Sequence, residues 1–193
     1  MGVDHIIYAV PTASQLYSDV VSGRLPVERV EMLYKLGYML SFRSEGRPFS
    51  PLDQDYERTW VDDMARLSPK VVERVAQLDR RFEGVEWLLS RIPILDVPSE
   101  WIVYGERILG PSVQRLDATR FNSPDICEAA SEFLEAHETE QVISNFYDDE
   151  DRKAAQLYKG GGNAQSLGND FDRLRSFYAA AAENGDAAII SIW

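Results

Sequence analysis

Cysteine is almost absent: Cys127 is the one thiol in 193 residues, which excludes an intramolecular disulfide and any multi-cysteine zinc or iron–sulfur site. Histidine is nearly as scarce, with His5 and His137 alone, so a catalytic thiol or a catalytic zinc would have to draw on those two. Apolar runs are short and broken by charges, and none approaches the roughly 20 residues that a membrane helix needs. Positive charge is also in deficit. Lys and Arg number 20 against 32 Asp and Glu, a net charge of −12. Such a surface repels phosphate backbones and anionic lipid, which argues against nucleic-acid and membrane roles. Arg80, Arg81 and Arg91 are too small a cluster to reverse that. Asp4 stands where a secretory signal would carry basic residues, and Ile6 where N-myristoylation requires Ser or Thr, so the expected location is the cytoplasm.

What is present is an ordinary globular composition, 45% hydrophobic and 27% charged, expected to fold as one domain over residues 1–193. The C-terminal stretch carries the most consistent signal. Phe171, Leu174, Phe177, Tyr178 and Ala181 recur at helical spacing, Asn184-Gly185 supplies a stop, and residues 187–192 read as a buried strand. Residues 3–10 read as a first strand ended by Pro11. A short helix follows, with Thr12 and Gln15 as a capping box. The next helix starts at Pro26 and is expected to end at Gly37.

Residues 43–55 hold Gly46, Pro48 and Pro51 and are expected to form an irregular loop. A helix over 56–67 comes next, then one capped by Ser68-Pro69 with Val71, Val72, Val75 and Leu78 inward. That pattern continues or bends into Phe82, Val85, Trp87, Leu88 and Leu89. Residues 101–104 and 113–116 read as strands. Ser123-Pro124-Asp125 opens a helix through Leu134, Thr139 caps another, and Asp148–Asp151 fits an acidic helix N-terminus. Gly160-Gly161-Gly162-Asn163 reads as a flexible connection. Terminal strands with helical runs of unequal length between them predict an α+β fold with a small mixed or antiparallel sheet.

Most motifs fail at a required position. Gly105 and Gly110 have phosphate-loop spacing, but Pro111 stands where the lysine belongs. His137-Glu138 opens like a zinc-protease helix, yet Gln141 replaces the second ligand. Asp53 and Asp55 lack the apolar strand that a phosphoryl-transfer pair needs, and Asp148–Asp151 lacks calcium-loop spacing. Cys127, in a helical pattern, reads as a small buried residue. No cofactor and no metal site is expected. Asp79, Glu83 and Glu86 share a helical face beside Trp87, and two carboxylates near an aromatic can do acid–base work in a cleft. The plainer reading is an exposed acidic face answered by Arg80 and Arg81.

The stretch Leu78-Asp79-Arg80-Arg81-Phe82-Glu83-Gly84-Val85-Glu86-Trp87-Leu88-Leu89 resembles the central motif of the YfbM-like family, a bacterial family of unknown function. Its usual pattern is Leu-Asp-Lys, an aromatic, then His-aromatic-Leu-Leu. The opening Met1-Gly2 strand, Tyr104-Gly105 leading to Ser123-Pro124-Asp125, and the closing helix and strand match in the same order, while residues 26–67 match poorly. Phe82 replaces the family's Trp and Glu86 its His, so any role resting on that His is absent or altered. The resemblance implies a compact cytoplasmic α+β domain and brings no reaction, substrate or cofactor.

Two functions follow as expectations. The first is a non-catalytic binding or protein-interaction module, in one form an acidic inhibitor or immunity-type partner of a basic protein. The second is an enzyme or small-ligand binder with a pocket lined by Asp79, Glu86, Trp87 and Tyr104. An apolar patch on an exposed sheet edge would favour a homodimer.

Overall fold

The computed structural model describes residues 5–44, 55–68, 70, 74–93, 97–110 and 118–192. Its centre is a five-stranded antiparallel sheet in the order β2-β1-β5-β4-β3, formed by β1 (His5–Val10), β2 (Val75–Gln77), β3 (Arg107–Leu109), β4 (Thr119–Asn122) and β5 (Ala187–Ile192). Every residue of β1, β4 and β5 is buried, as expected of strands covered by helices on both faces. The terminal strands are therefore neighbours at the middle of the sheet, and the fold is α+β.

The two-residue side-chain period fixes which layer each strand residue meets. Tyr8, Ile189 and Phe121 lie in register and face α1 (Gln15–Val21) and α2 (Val27–Ser44). There the Tyr8 hydroxyl donates to Leu33 O at 2.9 Å, and Tyr17 of α1 packs on Phe121. A third helix, α3 (Asp55–Leu67), joins that layer. On the opposite face His5 and Asn122 meet α4 (Phe82–Leu89), α5 (Ser99–Tyr104) and α9 (Ala164–Asn184). Packed on α9 are α6 (Pro124–Glu135) and α7 (Thr139–Phe146), and α8 (Asp149–Ala154) follows them.

Several expectations need correction. Residues 101–104 are helical, although Trp, Ile, Val and Tyr favour a strand, because α5 starts after Pro98 and has its end held by tertiary hydrogen bonds described below. Residues 75–77 form β2 on the edge of β1, not a helix, and a 3₁₀ turn over Asp79–Arg81 leads into α4. Helix α2 does not stop at Gly37. A Cβ there would come within 2.9 Å of Ile6 Cγ2, so glycine sets how closely α2 lies on β1. The helix ends at Ser44 and α3 begins at Asp55, which narrows the expected 43–55 loop; residues 45–54 lie outside the described residues, as do the expected strand at 113–116, Val71, Val72 and the first four residues. The N-cap of α1 is Ser14, whose hydroxyl accepts from Tyr17 N, and Thr139 is the first residue of α7 instead of its cap.

The run at 160–162 is a docked turn where a flexible connection was expected. Lys159, Gly160, Gly161 and Gly162 all have positive φ, and Tyr158 N donates to Glu83 Oε2 at 2.7 Å. The turn sits so close to α4 that a Cβ on Gly84 would overlap the Gly161 carbonyl oxygen. Gly84→Ala is therefore expected to cost roughly 1–3 kcal/mol, read as a lower urea midpoint with an unchanged slope. An unaltered midpoint would mean that the loop is not seated on α4.

Candidate functional site

The 78–89 motif is spent mainly on structure. Phe82 is fully buried, stacks on His5 at 5.5 Å and meets Tyr104 edge-on at 6.0 Å. Arg81 grips the buried Asp170 of α9 through Nε at 2.5 Å and Nη2 at 3.1 Å, and Arg173 binds the same carboxylate at 3.0 Å. Of the sequence candidates, Asp79 sits in the 3₁₀ turn and its side chain lies outside the described ones. Glu86 lies half-buried on α4. Trp87 is buried edge-on to Tyr147, with Arg91 over its ring at 4.3 Å. Tyr104 is wholly buried against Phe82 at the end of α5. Trp87 and Tyr104 thus pack in different surroundings.

Around α5 lies a buried polar hub. The last carbonyls of a helix lack intrahelical partners and must be satisfied from outside; among those of α5 only Trp101 O has one, the cap N–H of Gly105. Asn122 Nδ2 donates to Trp101 O at 2.8 Å, the Tyr178 hydroxyl to Ile102 O at 2.6 Å, and His5 Nε2 to Val103 O at 2.6 Å. Asn122 Oδ1 in turn accepts from Glu106 N at 2.7 Å. Donation from Nε2 fixes the neutral His5 tautomer with its proton there. Burial lowers its pKa to about 4, against which the bond to Val103 pulls upward. Burial, aided by the Asp186 charge, pushes the Cys127 thiol up to about 12, so it is no nucleophile at neutral pH. Desolvation likewise raises the carboxyl of Asp186, against the pull of Arg74 at 2.5 Å.

The outer surface carries the uncommitted chemistry. Asp125, Glu128, Glu132 and Glu135 follow at intervals of three, four and three along α6, and all are exposed on the face opposite Cys127, Ala130 and Leu134. The helix holds no Lys or Arg, and none of these four carboxylates makes an ion pair among the described residues. The acids of α8 behave differently. Asp148 caps the helix, Asp149 binds Arg152 and Lys153, Glu150 binds Lys153, and Asp151 binds Arg91. In the sequence the four-acid run at 148–151 is the more conspicuous, whereas the signal for α6 is the spacing of its acids against an apolar face. A cleft of about 570 Å³ lies between α7 and α9. Its two walls are far apart in sequence, so no motif announces it. Among the described residues no three His, Cys, Asp or Glu side chains are placed to hold a metal ion, and no helix is long and apolar enough to cross a membrane.

Residues 42–191 match the family model described as Domain of unknown function (DUF1877). The chain belongs to that family. The DUF1877 match starts inside α2 and runs into β5. Among solved structures, the fold is similar to the protein of unknown function YfbM from Escherichia coli, with a TM-score of 0.48 and 16% identity over 74% of this chain and 96% of that one. A curated protein, "Probable protein kinase UbiB" from Aliivibrio salmonicida (strain LFI1238), is 26% identical over 121 residues. That stretch is 61% of this chain and 22% of the relative, so the chain spans about a fifth of that protein's length.

The hub makes a pH prediction. The folded-state pKa of His5 lies below its unfolded value, so its contribution to stability is present above 6.5 and is lost as pH falls toward about 4. The loss over that window is about 3 kcal/mol. Asp186 acts with the opposite sign in the carboxylate range, because its raised pKa lets the folded state take up a proton first. Urea unfolding of wild type and His5→Gln between pH 7 and 4 isolates the histidine: the variant loses that part of the slope. Parallel profiles would place the titration elsewhere.

Proposed function

We propose that this protein is an interaction module that binds a basic protein partner through the acidic face of α6, in the manner of an acidic inhibitor or immunity-type protein. The observation that carries this reading is the contrast between α8, whose acids are neutralised by their own neighbours, and α6, whose four carboxylates have no counter-charge among the described residues. Like charges at helical spacings of three and four cost about 0.2–0.5 kcal/mol per pair. A partner's lysines and arginines would relieve that repulsion, and the net charge of −12 would steer the encounter. The kinase name belongs to a relative of which this chain spans about a fifth. Here the glycine pair Gly105 and Gly110 brackets the short strand β3 in place of a phosphate loop.

The test compares tagged wild type with the quadruple variant Asp125→Asn, Glu128→Gln, Glu132→Gln, Glu135→Gln in affinity capture from host lysate, followed by association kinetics with any captured partner. The variant is expected to fold with equal or slightly higher stability. A basic partner should associate with it about tenfold more slowly than with wild type, and the wild-type rate should fall with salt. A partner bound equally by both proteins, or at a salt-independent rate, would refute the proposal.

A further inference from the structure

The α7–α9 cleft begins where α6 ends, since Glu135 closes α6 and Glu138 stands on the cleft rim three residues later. Its depth comes from Gly168: a Cβ there would meet Thr139 Cγ2 at 3.3 Å and Ile143 Cγ1 at 3.6 Å. One end is closed by Arg175, whose charge is already matched. It contacts Asp172 Oδ1 at 2.7 Å and donates to His137 O at 3.3 Å, while the Thr139 hydroxyl donates to the same Asp172 oxygen at 2.5 Å. Three carboxylates, Glu138, Glu140 and Asp172, thus face one guanidinium, leaving the lining at −2. Glu140 is exposed and makes no ion pair among the described residues. Ile143 offers an apolar wall beside it.

We infer that this cleft receives an arginine side chain of the basic partner, an inference that rests on the function proposed above. The alkyl stem would lie along Ile143, and the planar guanidinium can bind the Glu140 carboxylate in a fork while offering its remaining N–H groups to the side-chain oxygens of the α9 wall. A lysine ammonium is a compact, strongly hydrated charge and gains less in an open cleft. The rim residue Glu138 follows Glu135 by three residues, at most about 11 Å of chain, so a polypeptide bound along α6 can reach the cleft.

The full-length ¹⁵N-labelled protein is titrated with N-acetylarginine methylamide, and separately with the lysine analogue and with N-acetylglutamate. The backbone amide of Gly168 and the side-chain amides of Gln165 and Asn169 are followed. Saturable shifts confined to the cleft are expected for the arginine probe, weaker ones for lysine and none for glutamate. Glu140→Gln should weaken arginine binding about two- to fivefold, and Ser144→Phe, which projects a ring into the cleft from an exposed position, should abolish it. The quadruple α6 variant should bind the probe as wild type does. Shifts that are absent, that lie outside the cleft, or that are equal for arginine and lysine would overturn the inference. A partner that ignores α6 would instead defeat the proposed function and leave the probe result standing.

Discussion

The C-terminal carbonyls of α5 are the constraint on which the rest of the structure depends. A six-residue helix whose last three residues are buried presents acceptors to a medium without water, and each would cost on the order of 1–3 kcal/mol if left unpaired. Three donors meet three successive carbonyls, and they come from β1, β4 and α9. The requirement therefore ties the sheet, the long C-terminal helix and α5 into one arrangement. It also explains why a sequence poor in histidine keeps His5 fully buried. The ring serves as a neutral donor stacked on Phe82, and its chemistry is consumed by the fold.

The same division runs through the charges. Asp170 sits at zero exposure between Arg81 and Arg173, and Asp186 is buried against Arg74, so these two carboxylates orient elements and are shielded from solvent. Breaking a buried pair is far costlier than losing an exposed one, so these charges are poor candidates for a binding role. The α6 carboxylates are the converse. They bury nothing and bind no base among the described residues, and a partner can use them at little cost to the fold. Among the described residues the buried carboxylates Asp170 and Asp186 are paired with arginines, whereas the four on α6 meet no cation.

Sequence alone revealed the parts where local and tertiary signals coincide. The α9–β5 unit was legible because helical spacing, the Asn184-Gly185 stop and the following apolar run all agree with the final packing. The start of α6 at Ser123-Pro124 and the acidic cap of α8 were legible for the same reason. Residues 75–77 and 101–104 were misread because their state is set by partners distant in the chain, namely β1 for one and His5, Asn122 and Tyr178 for the other. Glycines at 37, 84 and 161 look like breaks in one dimension and are close-approach points in three. For the site, Cys127 was correctly read as buried, whereas the α6 face required knowing that the three acids of α8 are paired with Arg152, Lys153 and Arg91.

The most direct test of the hub is Tyr178→Phe, which deletes one hydroxyl, keeps the ring and leaves Ile102 O without its donor. Denaturant unfolding is measured together with amide hydrogen exchange at Gly105, whose N–H bonds Trp101 O at 3.1 Å. If the α5 carbonyls hold the fold together, stability falls by about 1–3 kcal/mol and Gly105 exchange accelerates by the same factor as global unfolding. A change within about 0.5 kcal/mol, with Gly105 protection intact, would show that α5 is held by apolar packing alone and would contradict this account.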